Sequence, residues 1–238
     1  MTDLTPDLIT DPELQPTPDY PLDAVQDRKA PRNADDLLRE LRRAEVATTQ
    51  RVTGLTEAGW RWRPPEGGWS AAQILGHLTK VNRTYGQSIE EALEKAPDSA
   101  ADSGDESFVP RFVEGWFIVS LEPPPKMRVP APRKSVPVAQ ECPPGDRVAS
   151  DYRESLEDLR RLVERGRGRA LREVGFPSPF FRLLRLSLGG GFAAIAAHER
   201  RHHLQLLKLL KKPGFPPAAE TEAQGSGAEN PGGEEEPR

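Results

Sequence analysis

The side chains best suited to chemistry cluster in one stretch, His198-Glu199-Arg200-Arg201-His202-His203-Leu204-Gln205. Imidazole is the commonest protein ligand for transition metals. Two imidazoles four residues apart stand one helical turn apart on one face, where both can reach the same ion. Ile195, His198, His202, Gln205 and Leu209 recur at intervals of three or four, which puts them on one face of a helix over about 192–211. His203 is turned about 100° from His202 and points elsewhere. The chain has four histidines, and the fourth, His77, lies far upstream. A metal site needs three or four ligands, so His77 decides between a metal centre and ordinary surface or hydrogen-bonded core histidines.

His198-Glu199-x-x-His202 also matches the zinc-protease pattern, in which the glutamate activates a metal-bound water. The match fails in its surroundings. Arg200 and Arg201 stand where a buried protease helix carries uncharged residues. Gln205 replaces the glycine needed before a third histidine, and a downstream glutamate ligand would have to be Glu220 or later, in the tail. Glu199 is about 100° round from His198, which favours a salt bridge or surface role over a general base. Arg200 and Arg201 are expected to face solvent or neighbouring helices, with a grip on an anionic thiol as the alternative.

Four helices must position these residues. The first runs from about 33 to 55, with Asn33 as N-cap, Asp35 and Asp36 in its first turn, and an inner stripe of Leu38, Leu41, Thr48, Val52 and Leu55. Residues 56–68 read as a turn-rich connection anchored by Trp60 and Trp62. The second helix opens with a capping box, Ser70 and Gln73, and a hydrophobic staple, Trp69 and Ile74. Ile74, Leu78, Val81, Tyr85 and Ile89 mark its inner face, and His77 sits beside Leu78, as a satisfied core residue or a ligand. Residues 98–148 lack a long periodic pattern and read as an ordered crossover with a disordered tip near 98–106. The third helix spans about 149–164, with Tyr152, Leu156, Leu159 and Val163 inside. A short apolar stretch, 176–188, follows. Gly189-Gly190-Gly191 then turns the chain into the last helix; no Lys-Ser or Lys-Thr follows to make it a phosphate loop. The expected architecture is all-α: a four-helix bundle over 32–212 with a long crossover between helices 2 and 3, a Pro-rich acidic arm at 1–31, and an acidic tail at 213–238, both ends disordered.

The crossover carries Phe112, Trp116 and Phe117, stiffened by prolines. These aromatics either wall an apolar pocket near the histidines, with Phe180 and Phe181 as another wall just before the last helix, or cover a seam between helices. The net charge of −4 gives no reason to expect nucleic-acid binding. A single cysteine, Cys142, excludes an internal disulfide and suits a reducing cytoplasm. No apolar run is long enough to span a membrane, and no signal peptide is recognisable.

The run Trp69-Ser70-Ala71-Ala72-Gln73-Ile74-Leu75-Gly76-His77-Leu78, followed late in the chain by His198 to Gln205, closely resembles the DinB-like (YfiT-like) metal-binding superfamily. The resemblance covers about 33–210. It implies a four-helix bundle, commonly dimeric, in which His77, His198 and His202 are the three metal ligands. Three neutral imidazoles leave positions open on the ion, as in catalytic sites. Zinc or nickel is the leading expectation, with iron and manganese also compatible with imidazole. The resemblance further implies a thiol-dependent transferase or isomerase, or a hydrolase-like enzyme, acting on a small molecule with a low-molecular-weight thiol. The alternative is a non-enzymatic metal-binding or stress-related interaction protein. Gln205 and Trp116 are the candidates for orienting a ligand or lining the substrate site.

Overall fold

The computed structural model describes residues 31–98, 112–123, 135–136, 142–181 and 183–216. The expected disorder of 1–30, 99–106 and the tail from 217 concerns residues outside that description. Among the described residues, six helices and one small antiparallel ribbon follow in the order α1 (Ala34–Val52), α2 (Glu57–Arg61), α3 (Ala71–Leu93), α4 (Phe112–Leu121), α5 (Gly145–Arg165), β1 (Gly175–Pro177), β2 (Arg185–Ser187) and α6 (Leu188–Leu210). The four long helices α1, α3, α5 and α6 make an all-α bundle with the long crossover between α3 and α5. The helix α3 packs on both α5 and α6, α1 packs on the same pair, and α4 lies against α6. None of the described helices is long and apolar enough to cross a membrane.

The expected caps are formed. Asn33 Oδ1 accepts from Asp36 N at 2.9 Å at the start of α1. At the start of α3, Ser70 Oγ accepts from Gln73 N and Gln73 Oε1 accepts from Ser70 N, each at 3.2 Å. Both arms of the box satisfy amides that the helix leaves without an intrahelical acceptor. That fixes where α3 begins, and therefore which face carries His77. The inner stripe of α3 and the expected inner residues of α5 are all buried.

Four readings of the sequence need correction. Within 56–68 the chain forms the short helix α2, capped by Thr56, whose hydroxyl accepts from Gly59 N. The crossover residues 112–121, expected to be non-helical, form helix α4. They escaped the periodicity because α4 is apolar on both sides: Val113, Trp116 and Val119 are exposed on one, while Ile118 is buried on the other. The stretch 176–188 contributes both strands of the ribbon, pairing Phe176 with Leu186. Finally, Gly189, Gly190 and Gly191 lie inside the first turn of α6 instead of preceding it. They are needed for close approach. A Cβ on Gly190 would meet the Glu114 carboxylate at 2.6 Å, and one on Gly191 would meet the Phe176 ring at 2.7 Å. Glu114 accepts from Ser187 N at 2.6 Å and from Ser187 Oγ at 3.0 Å, so the chain's own carboxylate occupies this positive helix end.

A third close approach gives a test of the packing. At the start of α5 a Cβ on Gly145 would lie 2.0 Å from the ring of Trp60, which is buried. Gly145→Ala is expected to destabilise the protein by about 1–3 kcal/mol, because the buried indole must shift to make room for the methyl group. A lowered urea midpoint with unchanged slope would be the signature; an unchanged midpoint would refute the contact.

Candidate metal centre

Helix α3 supplies His77 two turns after its cap, and α6 supplies His198 and His202 one turn apart. One ring nitrogen from each lies within 4.8 Å of the others. The ring centroids are 4.4 Å apart for His198 and His202, 4.7 Å for His77 and His202, and 5.0 Å for His77 and His198. His77 Nε2 stands 3.1 Å from His198 Nε2. Two nitrogens each about 2.0–2.1 Å from one ion are about 2.9 Å apart at a right angle and about 3.4 Å apart at the tetrahedral angle. The observed spacing falls between the two.

The outward nitrogens of His77 and His202 are held in a way that frees the inward ones. His77 Nδ1 is 2.8 Å from the carbonyl of Ser135, which only accepts, so Nδ1 carries the proton and Nε2 presents its lone pair. His202 Nδ1 is 2.8 Å from Gln205 Oε1, which fixes the same tautomer there. Such partners orient a metal-binding imidazole and raise its basicity. The Trp69 ring meets His77 edge-on at 4.9 Å and stacks on His202 at 5.8 Å. The residue before the α3 cap thus also braces the site.

Burial keeps the three rings neutral. It is the main cause that lowers the His77 pKa below the usual imidazole value, lowers that of His198 well below it, and pushes His202 down to about 3. Neutral imidazole is the form a metal ligand requires. The three histidines form a group that could hold a metal ion.

The family model of the DinB superfamily matches residues 40–206, a span that includes all three histidines. The chain belongs to the DinB superfamily. No curated protein and no solved structure gives a significant match. In this DinB bundle the triad opens onto a cavity of about 210 Å³, whose other walls are mostly apolar. Phe117, Leu121, Phe180 and Phe181 line it beside the triad, with Val81, Tyr85, Ala194 and Ile195.

The remaining candidate residues divide. Gln205 lines the cavity and holds His202. Trp116 does neither: it is 68% exposed on the outer face of α4, and its neighbour Phe117 takes the place expected for it. One residue is a 100° step on a helix, and α4 is turned so that Phe117 faces inward. The side chain of Phe112 lies outside the described residues. Phe180 and Phe181 form the second wall as expected. Ser135 was not singled out in the sequence, since it acts through its backbone carbonyl and no side-chain pattern reveals that.

Glu199 corrects the expectation of a salt bridge or surface role, while Arg200 takes the neighbouring-helix alternative. Glu199 is buried on the side of α6 away from the cavity, where it accepts from Tyr152 Oη at 2.6 Å and from Asn82 Nδ2 at 2.8 Å. Burial raises its pKa to about 7 even with these two donors. Arg200 is also buried. Its Nε donates to Glu122 Oε2 at 2.8 Å, and its two other nitrogens pair with Glu122 and Glu40. His203 Nδ1 lies 3.2 Å from Thr48 Oγ1, within the bundle rather than at the triad. Arg201 alone of this charged group lines the cavity.

Proposed function

We propose that His77, His198 and His202 bind one divalent metal ion, zinc or nickel foremost, with iron and manganese compatible. On this reading the protein is a metal-dependent enzyme that acts on a small molecule in the adjoining cavity, as a thiol-dependent transferase or isomerase or a related hydrolase. One observation carries the reading: the triad is backed by protein on one side and faces an apolar cavity on the other. A purely structural centre would have its ligand positions closed by protein. A bound ion supplies Lewis acidity and lowers the pKa of a thiol or water that it holds.

The chain's own residues then have separable tasks. Ser135 and Gln205 keep the imidazole protons on Nδ1 and aim Nε2 at the centre. Phe117, Phe180 and Phe181 exclude bulk water and offer apolar surface to a substrate. Trp69 prevents His77 and His202 from swinging out. The test is metal analysis of the purified full chain, followed by a screen of low-molecular-weight thiols against small electrophiles and of activated esters. One metal per chain is expected, with turnover that disappears in His77→Ala. Stoichiometric metal without turnover on any of these would leave a metal-binding protein in place of an enzyme.

A further inference from the structure

The pocket beside the triad contains one feature that neither metal binding nor packing uses. Arg201 is half-buried in its wall. Its one described hydrogen bond runs from Nη1 to the carbonyl of Ser120 at 3.1 Å, and no carboxylate among the described residues pairs with it. Its neighbour Arg200, buried deeper, is matched by two carboxylates. Guanidinium stays charged, carries five N–H donors, and is costly to remove from water without an opposing charge.

Arg201 also stands at a boundary. Trp69, Arg201 and Gln205 line both the apolar cavity and a second cleft of about 750 Å³, whose other walls include Gly67, Gly68, Leu204 and Lys208. Residues 198, 201, 205 and 208 follow one another at three- and four-residue steps, so His198, Arg201, Gln205 and Lys208 form a single stripe along α6. Lys208 is exposed and has no carboxylate partner among the described residues, whereas Lys212 is paired with Glu66. The stripe leads from the triad to two unmatched cations.

We propose that the molecule bound at the triad is an amphiphilic carboxylate. Its apolar part fills the aromatic cavity, and its carboxylate is held by Arg201 at the boundary, with Lys208 lending charge from the cleft. This rests on the metal-centre reading above and gives it a substrate class. Side chains three residues apart on a helix are about 5–6 Å apart at Cβ, so one small molecule can reach both the ion and the guanidinium. The charge balance favours the same arrangement. Arg201 lines the same cavity as the three histidines. Its charge opposes a divalent ion held there, and an anion placed between them relieves that repulsion.

The test uses the full chain loaded with cobalt(II), whose d–d absorption reports the metal site and whose thiolate charge-transfer band reports a sulfur on the ion. The probes are 6-mercaptohexanoate and 6-mercaptohexan-1-ol, which share the thiol and apolar chain and differ in charge. The wild-type protein is expected to bind the acid about tenfold or more tightly than the alcohol. In Arg201→Gln the preference should shrink to within about twofold while affinity for the alcohol holds, which also shows that the variant is folded. Arg201→Lys should keep part of the preference, because it keeps the charge and loses the fork. Equal binding of the two probes to the wild type, or a preference that survives in Arg201→Gln, overturns the proposal. So does a cobalt-loaded protein that takes up neither thiol, with the metal centre left intact. A chain that takes up no cobalt would instead sink the metal reading, and this inference with it.

Discussion

His202→Ala is expected to leave less than about a tenth of the metal that His203→Ala retains. The two histidines are adjacent, buried and of one chemical type, so composition and exposure do not separate them. Their direction does. His202 faces His77 and His198, whereas His203 faces Thr48 of α1. Removing even an outer partner of a ligand commonly costs about 10–100-fold in metal affinity, and removing one of three ligands should cost more. His203→Ala instead removes a polar contact and some packing from the bundle, for about 1–3 kcal/mol of stability. The metal-to-protein ratio after dialysis and the urea midpoint, measured on both variants, give a crossed pattern. Equal metal loss in the two would contradict the assignment of helix faces.

Arg200→Met should be among the most damaging substitutions in the bundle, at about 3–5 kcal/mol. The guanidinium joins Glu40 of α1 to Glu122, just beyond α4. Without it, two carboxylates remain close together, and the Glu40 side chain is only 10% exposed. The penalty comes mainly from two like charges left without the guanidinium between them, so Glu40→Leu combined with Arg200→Met should recover a large part of it. Denaturation of the single and double variants would decide; a double variant no more stable than Arg200→Met would show that the loss is one of packing.

How much of this could be read in the sequence depended on the range of the interaction. The Ser70–Gln73 box and the Asn33 cap act over three residues and were legible in full. The stripes of α3 and α5 were legible because each helix has one wet face. Helix α4 was not, since Val113, Trp116 and Val119 are apolar yet exposed and erase the alternation that marks an amphipathic helix. Without a helix there, no face could be assigned, and Trp116 could not be told from Phe117. The three-residue strands of the ribbon were too short to leave a period. The burial of Glu199, and the partners that Arg200 would meet, were hidden for a different reason. A charged pair on a helix normally turns to water, and the partners that hold these two inside, Asn82, Tyr152, Glu40 and Glu122, come from separate parts of the chain. The gathering of His77 with His198 and His202 is equally long-range. It was anticipated through a family likeness, not through any local rule.

Helix α6 is built into protein on nearly all sides, and this bears on how the site can change over evolutionary time. His198 and His202 share their turns with Glu199, Arg200 and His203, each tied to a different part of the bundle. A saturation survey of 198–203 scored by protein abundance would therefore find the helix intolerant on its scaffold side as well as its metal side, and would not single out the ligands. Arg201 is the exception, being half-buried and anchored to the scaffold through one carbonyl. Its replacement should be nearly silent for abundance. A lineage can thus retune what sits beside the ion by varying residue 201 while the five positions around it stay locked, which separates the freedom to change substrate from the constraint to remain folded.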